Sequence, residues 1–472
     1  MLHLFKKYAL CFCLALLSCF SAFTLHAGTI TGAWYGTLHV QGIKLRLVLH
    51  IEQAAGGYAA TMDSPDQGAK GLPLDKVAFE DGRLDIAATQ LGMEYTGLLK
   101  DNVIKGTFRQ GGGAFPLDFS REETVGRSRP QEPVKPFPYR EEEVRFDNKA
   151  AGISLAGTLT LPQGAGRFPA VILISGSGPQ DRNETLLGHK PFEVIADHLS
   201  RNGFAVLRYD DRGVAGSGGV FQGATSADFA TDADAAFRYL QGRKEIDGKR
   251  IGLMGHSEGG LIAPMVASKN RDVAFVVLLA GPGTPGKAIL LAQQKLIARA
   301  SGVPEAEIEK SNKVNAHLFE LATGTGDTGK VRAELEKALS RYVEEVPSSG
   351  LPQGVSREQL IQQQMAELTS PWMLYFLAHD PAADLQKLTC PVLALNGEKD
   401  LQVPAAENLA AIKKYTAAGG NRQVTVKELK GLNHLFQECT TGAPAEYENI
   451  EQTFSPVALQ EILSWLQAHV RR

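Results

Sequence analysis

From about residue 141 to its end, the chain alternates short apolar β-type segments with helical patterns. The β-type segments lack a polar face, which is typical of strands buried on both sides in a parallel sheet. These predicted strands contain Val171–Ile174, Ala205–Arg208, Ile251–Met254, Phe275–Leu279 and Val392–Leu395. Between the first two, apolar residues recur at the spacing of one helix face. The alternation predicts an α/β domain over residues 141–472, with a mostly parallel sheet and right-handed crossovers.

About a hundred residues interrupt this alternation between the strands near Leu279 and Val392. The segment has no strand pattern, and it is rich in Ala, Glu, Lys and Leu with helical apolar spacing, as at Leu335 and Leu339. A structureless loop of that length is uncommon inside a compact domain. We therefore expect a helical cap inserted at about residues 285–384.

The region before the α/β domain has a different sequence pattern. A chain of 472 residues is long enough for two or three domains. Residues 28–120 contain short alternating apolar and polar segments, and Asp81-Gly82 between two of them is a hairpin signal. We predict a small antiparallel β domain here, either a sandwich or a barrel. Residues 121–140 carry four interleaved prolines and are predicted to form a semi-rigid linker.

Residues 1–27 have the pattern of a secretory signal peptide. Two lysines precede an apolar run that ends in Leu25-His26-Ala27, which is a suitable cleavage site. The run is shorter than the roughly 20 residues of a membrane span, although a retained anchor stays an alternative. A lipoprotein attached through Cys19 is a second, minor alternative. We expect an exported protein, periplasmic or secreted, with no stable membrane span after cleavage.

The charge of the chain restricts its possible binding partners, and its cysteine content restricts its possible disulfides. With 49 Lys and Arg against 52 Asp and Glu, the formal charge is −3, which gives no field that would attract nucleic acid. We expect no nucleic-acid partner. Only Cys390 and Cys439 follow the predicted leader, so one disulfide is possible, although two buried free thiols are the more common arrangement in a large domain.

Gly255-His256-Ser257-Glu258-Gly259 matches the G-x-S-x-G pattern. It follows a predicted buried strand and precedes an apolar helix, as a nucleophile elbow requires. Small residues on both sides of the serine allow the sharp turn that exposes its hydroxyl. Ser257 is therefore our candidate nucleophile. The alternative is a glycine-rich turn in which the serine only caps the helix.

A serine nucleophile needs a base, and the base needs a group that orients it. In this arrangement the acid and then the histidine follow the serine along the chain, each on a loop after a later strand. Asp400 and His434 occur in that order, and both follow predicted strands. Glu398 is the alternative acid. The nearest rivals as base are His189, His198 and His256.

Two backbone N–H groups should stabilise the oxyanion. One is expected from Glu258, directly after the nucleophile, and the other from the glycine-rich turn after an early strand. In that turn we choose the N–H of Ser177, with Gly178 next. A plain tight turn is the alternative. Cysteine and histidine spacing typical of a metal site is absent from the sequence, and we expect no metal and no cofactor.

Five segments together resemble one superfamily: Ser175–Asp181, Arg208–Gly213, Gly255–Gly260, Leu395–Pro404 and Asn433–Phe436. They are similar to the α/β-hydrolases, and more narrowly to the EstD-type bacterial carboxylesterases, which are related to the serine aminopeptidase group. The resemblance implies an α/β-hydrolase fold and a triad of Ser257, Asp400 and His434. It also implies a structural role for the Asp211-Arg212 pair. One departure is Ser175-Gly176, where the oxyanion loop of the family commonly begins with His-Gly.

These observations predict a serine hydrolase that cleaves small-molecule carboxylic esters with small to medium acyl groups through an acyl-enzyme. The triad does not distinguish esters from amides, so a peptidase or aminopeptidase of the same fold is the near alternative. The other alternative is a catalytically inert protein that binds a cell-envelope partner through the β domain.

Overall fold

A computed structural model describes residues 29–40, 43–110, 113–123, 127–324, 328–347, 351 and 355–470. In these residues the strands form two sheets, one of nine strands and one of eight. The predicted signal peptide, residues 1–27, lies outside the described residues. The division into domains stays a prediction.

The first sheet is antiparallel, with the order β4-β3-β2-β1-β9-β8-β7-β6-β5. Its strands are β1 (Gly32–Val40), β2 (Ile43–Ala54), β3 (Gly57–Ser64), β4 (Ala69–Leu74), β5 (Lys76–Glu80), β6 (Arg83–Ala88), β7 (Met93–Lys100), β8 (Val103–Gln110) and β9 (Gly113–Ser120). Contacts of β3 with β5 and of β4 with β6 bring the two ends together. The sheet thus curls around one apolar core, in which Trp34, Leu49 and Leu84 are fully buried.

The hairpin signal at Asp81-Gly82 is confirmed, because β5 and β6 pair across these two residues. Both have positive φ, +49° and +79°, as the two central residues of a type I′ turn require. The sequence did not predict β4 or β9, which are interrupted by proline or glycine.

The proline-rich segment before the second sheet is hydrogen-bonded to two loops of the α/β region. The Arg129 guanidinium donates to the carbonyl oxygens of Ile450, Leu187 and Glu448. Gln131 adds a hydrogen bond to the carbonyl oxygen of Phe454. A strand of the second sheet begins at Tyr139, so the last two residues of the predicted linker, 121–140, belong to that strand.

The second sheet has the order β10-β11-β13-β12-β14-β15-β16-β17. Its strands are β10 (Tyr139–Asn148), β11 (Ile153–Pro162), β12 (Phe168–Ile174), β13 (Ala205–Tyr209), β14 (Ile246–His256), β15 (Val276–Leu279), β16 (Val392–Gly397) and β17 (Val424–Leu429). The pairs β10–β11 and β11–β13 are antiparallel, and the remaining pairs are parallel. The mostly parallel sheet is therefore confirmed, with an antiparallel edge that the sequence did not predict.

Helices cover both faces of this sheet, which therefore has an apolar core on each side. One face packs against α1 (Pro191–Arg201) and α11 (Pro456–Val470). The other packs against α2 (Ser226–Gln241), α3 (Gly259–Ala267) and α10 (Ala405–Ala418). Because both faces are buried, the strands read as continuous apolar runs.

Between β15 and β16, where the sequence predicts a helical insertion, further helices follow one another. They are α4 (Gly286–Ala300), α5 (Glu305–Ala322), α6 (Thr328–Glu345), α7 (Arg357–Leu368), α8 (Pro371–Ala378) and α9 (Ala382–Leu385). Leu335, Leu339 and Val343 are buried at the predicted helical spacing and form part of a separate apolar cluster. Among the described helices of the chain, none is long and apolar enough to cross a membrane.

Candidate active site

Ser257 lies at the turn between β14 and α3, and its φ is +52°. A residue with a Cβ adopts positive φ only where its surroundings hold it there. Contacts explain both flanking glycines: a Cβ on Gly255 would lie 1.9 Å from the carbonyl oxygen of Gly259, and one on Gly259 would lie 2.1 Å from that of Ile174. The G-x-S-x-G segment therefore forms a strand-turn-helix elbow, with Ser257 half-buried at the carboxyl end of the parallel sheet.

Asp400 and His434 are brought together by the loops after β16 and β17. Asp400 Oδ2 lies 2.8 Å from His434 Nδ1, and both residues are buried. The other carboxylate oxygen accepts the N–H groups of Gln402 and Val403, at 2.8 and 2.9 Å. With Nδ1 directed at the Asp400 carboxylate, Nε2 is the ring nitrogen of His434 that could act as a base.

The alternative candidates for the acid and the base make other contacts. Glu398 is exposed and accepts the Gly431 N–H at 2.9 Å. His189 lies between the Thr453 hydroxyl and the Tyr447 carbonyl oxygen, and burial lowers its pKa to about 4. His198 lies on α1, and its buried Nε2 has no partner among the described residues. The geometry thus favours Asp400 as the acid, and neither His189 nor His198 contacts it.

The glycine-rich turn after β12 lies directly against the elbow. A Cβ on Gly176 would be 3.1 Å from the Cβ of Ser257, so a side chain here would crowd the candidate nucleophile. Asp211 supports the turn, since its carboxylate accepts the Ser175 hydroxyl at 2.9 Å and the Gln180 N–H at 3.0 Å. Burial raises the pKa of Asp211 well above its usual value.

The two predicted oxyanion donors lie on these neighbouring turns. The hydrogen bonds of the described residues include none donated by the N–H of Ser177 or of Glu258. The Gly176 N–H, in contrast, is bound by the Glu184 carboxylate at 2.6 Å. Ser177 and Glu258 therefore keep amides that are available to a ligand, whereas Gly176 does not.

Comparison with known proteins identifies the family of the chain. The family model described as serine aminopeptidase, S33, matches residues 190–438, which is more than half of the chain. The chain belongs to the serine aminopeptidase S33 family. The matched region contains β13–β17, the elbow, Asp400 and His434, so it covers the predicted triad.

Individual relatives of this S33 chain include one esterase. Esterase EstD of Thermotoga maritima is 25% identical over 334 residues, which cover 71% of this chain and 69% of EstD. Human dipeptidyl peptidase 8 is 30% identical over 160 residues, 32% of this chain and 18% of that protein. Among solved structures, the α/β-hydrolase GrgF from Penicillium sp. sh18 has a TM-score of 0.44 and 19% identity, covering 71% of this chain and all of GrgF. The chain is thus similar to an esterase over most of its length.

In this S33 chain, His256 connects the elbow to the two neighbouring loops. Its Nδ1 lies 2.9 Å from Glu184 Oε1, and its Nε2 lies 3.0 Å from the carbonyl oxygen of His434. Burial by itself would lower the pKa of His256, but the Glu184 carboxylate raises the pKa above its usual value. The sequence analysis missed Glu184, because it lies in an irregular loop and belongs to no motif that indicates chemistry.

The Glu258 side chain joins the elbow to α2 and α8. Its Oε1 accepts the Ser226 hydroxyl at 2.6 Å and the Trp372 Nε1–H at 2.9 Å. Burial raises the pKa of this carboxyl, and the two hydrogen bonds act in the opposite direction.

The pair Asp211-Arg212 has the structural contacts that the resemblance implies. Arg212 Nε lies 2.7 Å from Asp232 Oδ2, and both residues are buried. Cys390 and Cys439 are free thiols, and burial raises the pKa of Cys390 to about 11. Within the residues described, no cluster of three or more His, Cys, Asp or Glu side chains is arranged to hold a metal ion.

Proposed function

We propose that this chain is a serine esterase that hydrolyses small-molecule carboxylic esters, with small to medium acyl groups, through an acyl-enzyme. The observation that carries the proposal is the 2.8 Å contact of Asp400 with His434, on loops at the same sheet edge as the strained Ser257 elbow. The name of the relative EstD, an esterase, supports ester rather than amide substrates.

In the proposed mechanism, His434 Nε2 removes the Ser257 hydroxyl proton as Oγ attacks the ester carbonyl carbon. The imidazolium that forms is stabilised by Asp400, whose other carboxyl oxygen accepts two backbone N–H groups. His434 then protonates the departing alkoxide. A water molecule attacks the acyl-enzyme with His434 again acting as base, which releases the acid and restores Ser257.

The tetrahedral intermediates carry their negative charge on the former carbonyl oxygen. We assign its stabilisation to the N–H groups of Ser177 and Glu258. Preorganised donors of this kind are usually the largest electrostatic contribution to acyl transfer, and removal of one costs about 10²–10³-fold in kcat. The helix α3 begins at Gly259, so its positive end also faces this position.

The helices α4–α9 are proposed to act as a cap over the acyl-binding side of Ser257. Trp372 on α8 supports this placement, since it is hydrogen-bonded to Glu258 and stacks on Phe376 with ring centroids 5.2 Å apart. A cap of this kind would exclude water and limit the acyl length. We further propose that the enzyme is exported, periplasmic or secreted, on the basis of the leader pattern in residues 1–27.

The test compares wild type with Ser257→Ala on the acetate, butyrate and octanoate esters of p-nitrophenol and on aminoacyl anilides. We expect ester turnover by wild type with a preference for the shorter acyl groups, and a loss of about 10⁴-fold or more in kcat for Ser257→Ala. Equal turnover by the two proteins would exclude the serine mechanism. Preference for the anilides would instead identify a peptidase, and inactivity on both classes would favour a binding protein.

A further inference from the structure

Glu184 and His256 form a buried pair at the point where three loops of the site meet. Glu184 Oε1 accepts the N–H of Gly176 on the oxyanion turn at 2.6 Å and lies 2.9 Å from His256 Nδ1 on the elbow strand. His256 Nε2 lies 3.0 Å from the main-chain oxygen of His434. Glu184 itself has a φ of +53°, an unfavourable backbone conformation that its surroundings must hold.

The hydrogen-bond partners determine the proton count of this pair. Both ring nitrogens of His256 face oxygen acceptors, and a neutral imidazole has only one N–H to donate. Both contacts are hydrogen bonds if the ring is a doubly protonated imidazolium beside a Glu184 carboxylate, or if a neutral ring accepts the proton of the Glu184 carboxyl. The raised pKa of His256 favours the imidazolium. Buried imidazolium and carboxylate then compensate each other's charge.

We propose that Glu184 and His256 act as a charged positioning pair that fixes the oxyanion turn, the Ser257 elbow and the His434 loop relative to one another. The proposal rests on the esterase mechanism given above. It assigns no contact with substrate to either residue: Glu184 acts through the Gly176 amide, and His256 acts through the main chain of His434. Loss of the proton from His256 removes one of its two hydrogen bonds, and the loops lose their fixed geometry.

Three ionisable groups face His256. Glu184 is paired with it, the His434 ring has its centroid 4.8 Å away, and the Asp400 carboxylate raises its pKa more weakly from the far side of His434. Phe436 contacts the ring edge and adds no charge. Because the strongest of these charges is the Glu184 carboxylate, its neutralisation should lower the pKa of His256.

The first measurement is made on the wild-type protein without any substrate. Nitrogen NMR of histidine-labelled protein should show one histidine with both ring nitrogens protonated at pH 7, and this signal should be absent from His256→Gln. A neutral His256 at pH 7 would overturn the proposal. This result does not depend on activity, so it distinguishes failure of the pair from failure of the esterase assignment.

The second measurement compares ester kinetics of Glu184→Gln, His256→Gln and the control His198→Gln over a range of pH. We expect kcat to fall about 10–100-fold in the two pair variants, with KM within about threefold, since the pair touches no substrate. In wild type, kcat should decrease at alkaline pH as His256 loses its proton. In Glu184→Gln this decrease should occur at lower pH. In His256→Gln the part of the decrease that is due to His256 should be absent. The proposal would be contradicted if Glu184→Gln or His256→Gln folded and kept the wild-type kcat. It would also be contradicted if the decrease of kcat at alkaline pH occurred at the same pH in Glu184→Gln as in wild type.

A separate feature lies between the two sheets, where a cleft of about 710 Å³ opens among β1, β2, the segment before β10 and the loop before α1. Its charged lining comprises Lys44, Arg46, Arg127, Arg129 and Lys190 against Asp66, Glu132 and Glu448. The cleft is therefore positive in a chain whose acidic residues outnumber its basic ones. Clefts between domains are common ligand sites.

Lys44, Arg127 and Arg129 have no ion pair among the described residues. Arg46 and Lys190 are paired with Asp66 and Glu132. Arg129, in contrast, donates only to main-chain oxygens, and its buried Nε has no acceptor among the described residues. A Cβ on Gly188 would lie 3.5 Å from Asp66 Oδ1 and 3.8 Å from that Nε, so a side chain there would narrow this part of the cleft.

From these contacts we infer that the cleft binds a small anion with several phosphate or carboxylate groups, held by Lys44, Arg127 and the Arg129 guanidinium. Inorganic pyrophosphate and citrate, titrated by calorimetry at low and moderate salt, are the probes that separate the two chemistries. Saturable, salt-sensitive binding of at least one probe is expected. It should weaken about tenfold or more in Lys44→Ala/Arg127→Ala and stay unchanged in the exposed control Lys105→Ala. Absence of saturable binding, or equal binding by the double variant, would overturn the inference.

Discussion

Trp372 Nε1 donates a 2.9 Å hydrogen bond to Oε1 of Glu258, the residue directly after Ser257. The contact joins α8 of the inserted helices to the elbow of the sheet, across 114 positions of sequence. The same carboxylate oxygen accepts the Ser226 hydroxyl from α2. The inserted helices are therefore hydrogen-bonded to Glu258, whose backbone N–H is proposed to stabilise the oxyanion.

Trp372→Phe should keep the stacking on Phe376 but remove this hydrogen bond. The buried Glu258 carboxyl then has only Ser226 as a side-chain donor, so we expect a loss of about 1–2 kcal/mol in the free energy of unfolding. KM for the octanoate ester should rise about threefold or more if the helices cover the acyl group. Denaturant unfolding and steady-state kinetics measure the two effects. Tyr375→Phe, on the same helix, is the control and should change stability by less than about 0.5 kcal/mol.

Asp400→Asn should lower kcat about 10³–10⁴-fold with little change in fold. The amide can present its N–H to His434 Nδ1, which leaves the ring in the wrong tautomer for proton removal from Ser257. Glu398→Gln, two positions away, should keep wild-type kcat, because Glu398 binds only the Gly431 N–H among the described groups. If Glu398→Gln were the inactive variant, the acid would be misassigned.

Ser177→Pro should lower kcat about 10²–10³-fold, because proline has no N–H to donate to the oxyanion. Ser177→Ala keeps that N–H and should retain activity within about threefold. The comparison isolates the amide from the hydroxyl of the same residue. A thermal unfolding curve for each variant shows whether the turn tolerates the ring, and a folded, fully active Ser177→Pro would move the donor to Gly178.

Local patterns predicted those parts of the fold and site in which a residue's neighbours in sequence are also its neighbours in space. The buried strands around Val171 and Val392 are apolar because helices cover both faces of the sheet. The elbow depends on Gly255 and Gly259, which lie only four positions apart. The charged strand β10, Tyr-Arg-Glu-Glu-Glu-Val-Arg-Phe-Asp-Asn, was not predicted. It is an edge strand with many exposed side chains, so its sequence does not show the pattern of a buried strand.

Glu184 shows a different limit. Its chemistry depends on contacts with Gly176, eight residues before it, and with His256, 72 residues after it. The turn that holds it has no regular period, and a glutamate between Asn183 and Thr185 has no local signal of burial. The role of a carboxylate that acts through a long-range contact can be recognised only from the folded structure, in which the loops lie together.

Stability should fall with acid because of His189. Burial, with a smaller contribution from the Arg129 charge, lowers the pKa of this ring to about 4, whereas the Tyr447 carbonyl acts in the opposite direction. An unfolded chain would titrate near 6.5. Between these values the unfolded state binds the additional proton, so stability decreases as pH falls from about 6.5 to 4, by up to about 3 kcal/mol.

His189→Gln removes this titration while offering an amide to the same neighbours, Thr453 and Tyr447. Urea unfolding at a series of pH values should therefore give a flatter pH dependence for the variant than for wild type over this window, even if the variant is less stable at neutral pH. His39→Gln is the matched control, since it removes an exposed imidazole rather than a buried one. Parallel wild-type and His189→Gln curves would mean that His189 is not the group whose protonation destabilises the folded state.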